Sequence, residues 1–180
     1  MSGDAPMAWP NYGAAMDSRM LHAIADVGLG RRYGLTGDDT ADCVRFVLAV
    51  LDQVYPGKLG ATGRRDVLIS HGDAERPWSP VSALITAGIA RVPGNKVDYG
   101  RWHVCQGWNG LTGGRISSTS SGHCWLWRGG VSNGQAGWIY QASTSNPAEW
   151  VARRTWADQA ARFVSGVSVA ALVELAPGVG

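Results

Sequence analysis

The chain has 180 residues, 45% of them apolar and 17% charged, with a formal net charge of +2. That suits one domain with its own core and excludes disorder or a coiled coil as a description of the whole. The charge is too small, and basic runs too sparse, to argue for nucleic acid as a partner.

The 25 glycines and 8 prolines point to turns and strands rather than a helical bundle. No apolar run approaches the ~20 residues that cross a bilayer, so no membrane insertion is expected. Residues 1–10 show no basic stretch followed by an apolar one, so no secretory signal is read there. Cys43, Cys105 and Cys124 are an odd number at irregular spacing, which is not a disulfide framework.

In chain order, residues 1–15 read as an irregular Gly/Pro-rich lead-in and 16–176 as the domain. Met16, Met20, Leu21, Ile24 and Val27 predict a first helix, ended by Gly28 and Gly30. Residues 30–39 read as a Gly/Asp-rich loop. Over 42–55, Val44, Val47, Leu48, Leu51 and Val54 form one stripe, and Phe46 and Val50 make the other side apolar. A helix apolar on most of its circumference is a buried central helix. Ser79-Pro80 predicts a third helix with Val81, Leu84, Ile85 and Ile89 on one face and its end at Pro93-Gly94.

The pattern then changes. Residues 99–108, 122–128 and 138–143 alternate and are rich in aromatic and β-branched side chains, which predicts strands. The Gly-rich stretch 129–137, with its Asn-Gly pair, reads as the loop of a hairpin. Asn146-Pro147 with Glu149 predicts a helix over 150–163, and 168–175 a last strand. Helices first, then an antiparallel meander, is an α+β order rather than βαβ repetition.

Cys43 opens the buried helix directly after the Gly/Asp-rich loop. A helix N-terminus favours an anion, and a thiolate is the nucleophile of a cysteine hydrolase. The plainer reading is a small buried core residue. A nucleophile needs a base, and the candidates are His22, His71, His103 and His123. His22 lies within the first amphipathic helix and His71 in a polar loop. His123 follows a Ser/Thr-rich run and starts the strand Cys124-Trp125-Leu126-Trp127. On the strand across the hairpin, Gln141 is a polar residue in an apolar segment, placed to orient an imidazole.

Gly30-Arg31-Arg32-Tyr33-Gly34 followed by Asp42-Cys43-Val44-Arg45-Phe46-Val47 resembles the NlpC-type cell-wall peptidases, compact papain-like cysteine hydrolases. Gly122-His123-Cys124-Trp125-Leu126-Trp127 and Ile139-Tyr140-Gln141-Ala142-Ser143 resemble the two strands that follow in that family. The resemblance implies an α+β papain-like domain with its nucleophile on the buried helix, packed on an antiparallel sheet. It implies Cys43 as nucleophile, His123 as general base and Gln141 as orienter. Tyr33 and the Cys43 backbone N–H would serve the oxyanion. Asp42 would be structural. Trp108, in a Gly-rich turn before the His123 strand, would line the groove.

The chain departs from the family where Val44-Arg45 replaces Ser-Gly and Gln141 replaces the commoner His. A neutral amide still accepts from an imidazole N–H but stabilises an imidazolium less. The resemblance also implies peptidoglycan stem peptide as substrate, cut near the γ-D-Glu to diamino-acid bond, with no metal or cofactor. The expected history is synthesis in a bacterial cytoplasm and action on the wall after delivery. Small domains of this kind resemble amidase effectors of type VI secretion, which would imply a cognate immunity protein. A phage lysin, a papain-like acyltransferase or peptidase on another substrate, and a non-catalytic interaction module are the alternatives.

Two other uses of these residues are weaker. His103, Cys105, His123 and Cys124 match no structural zinc spacing, and adjacent strand residues point to opposite faces. The nine tryptophans read first as core and sheet packing, with a carbohydrate-stacking surface as the rival use. The Arg31-Arg32 and Arg153-Arg154 pairs read as solvated.

Overall fold

The computed structural model describes residues 14–28, 32–33, 40–41, 43–59, 84–92, 101–109, 121–129, 137–142, 151–155 and 168–177. The apolar segment of the second predicted helix dictates the architecture. As α2 (Cys43–Val54) it buries Cys43, Val44, Phe46, Val47, Leu48, Val50, Leu51 and Val54. These residues cover most of the circumference, so the helix needs partners on two sides. On one side lies α1 (Ala14–Gly28), which buries Met16, Met20, Ala23, Ile24 and Val27. On the other lie β5 (Ser121–Gly129) and β6 (Gly137–Ala142).

Those strands belong to an antiparallel sheet that also holds β3 (Ala90–Arg91), β4 (Trp102–Asn109), β7 (Val151–Thr155) and β8 (Ser168–Leu175). The six strands run in the order β3-β8-β4-β5-β6-β7. Outside this sheet, β1 (Arg32–Tyr33) pairs in parallel with β2 (Thr40–Ala41). Helices and an antiparallel sheet make the fold α+β, as the element order predicts.

Strand alternation gives the sheet two buried faces. Trp102, Val104, Cys124, Leu126, Tyr140, Ala142, Val173 and Leu175 join the helices in the main core. Cys105, Trp125, Trp127 and Ile139 form a second cluster on the other parity. Trp102, Trp125 and Trp127 are therefore packing residues, as are Cys105 and Cys124; Trp138 is exposed. Trp102 lies against Tyr140 with ring centroids 5.5 Å apart.

Several expectations need correction. The first helix starts at Ala14, inside the stretch read as lead-in. The supposed loop 30–39 contains β1, so Tyr33 sits on a strand. Its partner is the equally short β2, and two residues show no periodicity. The helix predicted to run to Pro93 stops at Gly88, which adopts φ +75°. There Ile89 N–H donates to the Leu84 carbonyl and Gly88 N–H to the Ile85 carbonyl. This is a Schellman termination, and buried Leu84 and Ile89 supply its apolar contact. Ile85, assigned to the buried face, is exposed.

The helix predicted over 150–163 is displaced at its start by β7, which pairs with β6 from Trp138↔Thr155 to Ala142↔Val151. An edge at β6 would leave a row of backbone groups unpaired, and that requirement overrides local helix signals. The last strand, predicted over 168–175, is β8 and lies between β3 and β4. Residues 1–13, His71, the start of the helix at Ser79-Pro80 and the hairpin loop itself lie outside the described residues.

Two side-chain contacts lock the helices to the sheet. Asp17 of α1 accepts from Trp102 Nε1 at 2.8 Å, from Arg128 Nε at 2.8 Å and from Arg128 Nη2 at 3.1 Å. Just beyond α2, the Tyr55 hydroxyl donates to the Ala176 carbonyl, one residue past β8. Burial pushes the Tyr55 phenol well above its ordinary range.

Two stability predictions follow from this packing. A Cβ on Gly88 meets nothing within 4 Å, so Gly88→Ala carries only the cost of positive φ, about 1 kcal/mol in urea denaturation. The Arg128 hydrogen bond holds the Asp17 carboxyl below its usual range, opposed by burial and helped by Trp102 and the Arg128 charge. A lowered folded pKa stabilises above the unfolded value of about 3.9 and is lost as pH falls through the folded one. Asp17→Asn is thus expected to cost about 1 kcal/mol at pH 7, a value discounted for partial exposure. The gap between the variants should close as pH drops below about 4.

Candidate active site

Cys43 is the first residue of α2 and is 0% exposed. The first turn of a helix leaves backbone N–H groups without intrahelical partners, and these favour an anion. Burial opposes a charge at the same atom. Cys43 lies in the main core, whose sheet members include Cys124, Leu126, Tyr140 and Ala142.

The β1–β2 pair sets Tyr33 opposite Ala41, two residues before Cys43. The fold thus draws the Tyr33 backbone, ten residues away in sequence, up to the Cys43 end of α2. Asp42, between β2 and α2, is outside the described residues.

His123 is the third residue of β5 and stands opposite Gly107 of β4. Its neighbour in the ladder, Gly122, stands opposite Trp108. Trp108 therefore occupies the register step next to His123. Gln141, 1% exposed, stands opposite Ala152 of β7. The β5–β6 register runs from Leu126↔Tyr140 to Gly129↔Gly137. Positions 123 and 141 both lie beyond this paired stretch, on strands that are neighbours in the sheet.

Alternation also separates these positions from Cys43. Cys124 and Leu126 of β5, and Tyr140 and Ala142 of β6, share the core with Cys43. Position 123 has the parity of Trp125 and Trp127, and 141 that of Ile139, all of the second cluster. Alternation thus sets positions 123 and 141 on the side of the second cluster and Cys43 on the other, and the β1–β2 pairing brings the Tyr33 backbone near the start of α2. The other histidines fall elsewhere: His22 is exposed on α1 and His103 is buried on β4.

The second face carries polar chemistry that the motifs did not reveal. Glu174 Oε1 lies 3.1 Å from Arg91 Nη2 and 2.9 Å from Arg101 Nη1. His103 stands opposite Glu174 in the β4–β8 register and stacks on Trp127 with ring centroids 5.0 Å apart. The arginines are 83 and 73 residues from Glu174 in sequence, so local spacing could not pair them. The available signal was a lone glutamate in the apolar run Val169 to Leu175. Cys105 shares this face, and burial pushes its thiol well up, which keeps it neutral. Among the described residues no group of three or more His, Cys, Asp or Glu side chains converges as a metal site would.

No family model, curated protein or solved structure matches this chain.

Removing Glu174 takes the carboxylate away from buried Arg101 and from part-exposed Arg91. Glu174→Ala is expected to cost about 3–5 kcal/mol, several times the Asp17→Asn effect, in the same denaturation series.

Proposed function

We propose that this chain is a papain-like, NlpC-type cysteine hydrolase that cleaves an amide bond in the stem peptide of peptidoglycan. The observation that carries this reading is the station of Cys43. It stands at the N-terminus of a buried helix that packs directly on β5 and β6, the strands bearing His123 and Gln141. The resemblance of three ordered motifs supplies the substrate class.

In this mechanism the first residues of β5 depart from the alternation of Cys124 to Trp127 and turn His123 toward Cys43; His123 removes the thiol proton and the thiolate attacks the scissile carbonyl carbon. The oxyanion accepts from the Cys43 backbone N–H, with Tyr33 beside it. His123 then returns the proton to the departing amine, leaving a thioester on Cys43. A water deprotonated by His123 cleaves the thioester and restores the thiol. Gln141 accepts from the other imidazole N–H and holds the tautomer. The side-chain chemistry proceeds without a metal or cofactor. Delivery as a type VI secretion effector, opposed by an immunity protein that blocks the Cys43 groove, extends the same reading. No helix among the described residues is long and apolar enough to cross a membrane.

A second reading is favoured by the complete burial of Cys43 and by the parity of position 123. In it the chain keeps the helix-on-sheet frame as a non-catalytic interaction module, and Cys43 only packs.

Digestion of purified sacculi with mass analysis of the fragments separates the two. Under the hydrolase reading the wild type releases stem-peptide fragments, and Cys43→Ala and His123→Ala lower the rate by about a thousandfold or more. Gln141→Ala slows release without abolishing it. Fragments released equally by Cys43→Ala defeat the mechanism. No fragments from the wild type, with Cys43 inert to iodoacetamide at pH 7, leave the module reading.

A further inference from the structure

One row across the sheet combines an exposed aromatic ring with a partly exposed ion pair. Trp102 stands opposite Arg128, Arg128 opposite Trp138, and Trp138 opposite Thr155. Opposed residues share a face with Cβ atoms about 5 Å apart. Trp138 is 41% exposed. Beside it, the Arg128 guanidinium is fixed by Asp17 Oδ1 and Oδ2 and by the Gly129 carbonyl at 2.9 Å. One helical turn from Asp17, Leu21 is 45% exposed. The strip reads apolar, cationic, anionic, apolar.

We propose that Trp138, with Arg128 and Asp17 beside it, is a platform for a pyranose ring of a glycan strand. A pyranose has a C–H face, which suits the electron-rich face of an indole, and a rim of hydroxyls. Asp17 Oδ2 accepts from Arg128 Nη2 at 3.1 Å and has a second lone pair to accept from such a hydroxyl. The site costs little to organise, because Arg128 is held in two directions before a ligand arrives. Among the described residues the strip exposes two apolar side chains, Trp138 and Leu21, against the ~1,000 Å² that a specific protein interface buries, so a small ring fits it better than a protein. Asp17 and Arg128 also neutralise one another, which suits an uncharged ring better than a charged segment. The platform does not involve Cys43; only the choice of an amino-sugar probe rests on the proposed peptidoglycan substrate.

The experiment titrates the full chain with the β-1,4-linked tetramer of N-acetylglucosamine, read by tryptophan fluorescence and calorimetry. The wild type is expected to bind saturably, Trp138→Ala to weaken binding at least tenfold, and Trp138→Phe to fall between them. A wild type that does not bind the tetramer, or a Trp138→Ala that binds it equally, overturns the platform. A second measurement guards against a misfolded variant. On the wild type, oxidation of Trp138 by N-bromosuccinimide, mapped by mass spectrometry, should slow at least threefold when the tetramer is present. Equal oxidation with and without the tetramer also overturns it. Tetramer binding through Trp138 by a protein that releases nothing from sacculi would sink the hydrolase and leave the platform standing. Sacculus digestion with no tetramer binding would do the reverse.

Discussion

The structure depends on burying α2 from two sides. Eight of its twelve residues are buried, including its first, Cys43, so the helix is unstable against water in any orientation. A sheet face satisfies one side, and α1 satisfies the other. Each buried Val, Leu or Phe contributes about 1.5–3 kcal/mol, which makes this packing the dominant stabilising term. The polar contacts then set the geometry. Asp17 ties α1 to the sheet through Trp102 and Arg128, and Tyr55 ties the end of α2 to the chain just after β8. Neither contact carries as much energy as the apolar burial, but each fixes a direction that apolar packing leaves loose.

The sheet serves two cores at once, and that decides how the candidate site residues are shared out. Every strand in its middle must alternate apolar side chains to both faces, as Cys124-Trp125-Leu126-Trp127 does. Because the period is two, a single residue step moves a side chain from one core to the other. The nucleophile candidate belongs with Cys124 and Leu126. The positions of His123 and Gln141 belong with Trp125 and Ile139. The second face also holds the Arg91–Glu174–Arg101 pairing and the stacked His103, so it is the more polar of the two interiors. A buried ionic cluster of this kind is weak evidence for stability by itself, yet losing one member is costly.

Much of the fold was legible in local pattern. The α2 stripe, the α1 periodicity, the alternation of β4, β5 and β6 and the last strand β8 all appear in the structure within a few residues. Most of the errors come from strand pairing. The segment at Val151–Thr155 carries helix-start signals just before it, but β6 needed a neighbour and the chain supplied one. Two-residue strands such as β1 and β3 have no period to detect, and pairing alone creates them. Gly88 could have been seen as a helix stop, since glycine adopts positive φ without strain; Pro93-Gly94 was the louder signal and lay too far on.

By itself, the amino-acid sequence determined that α2 is buried, that the thiol of Cys43 opens it, and that aromatic strands build an antiparallel sheet. These are consequences of side-chain periodicity, which acts within a few residues. Only the tertiary structure decided which strand lies beside which, that Glu174 meets two distant arginines, that Asp17 reaches across to Arg128, and which face of the sheet each reactive position shares. Those outcomes depend on register and on pairing over tens of residues. Such contacts form only when backbone hydrogen bonds and two packed cores are satisfied together, and no local pattern encodes them.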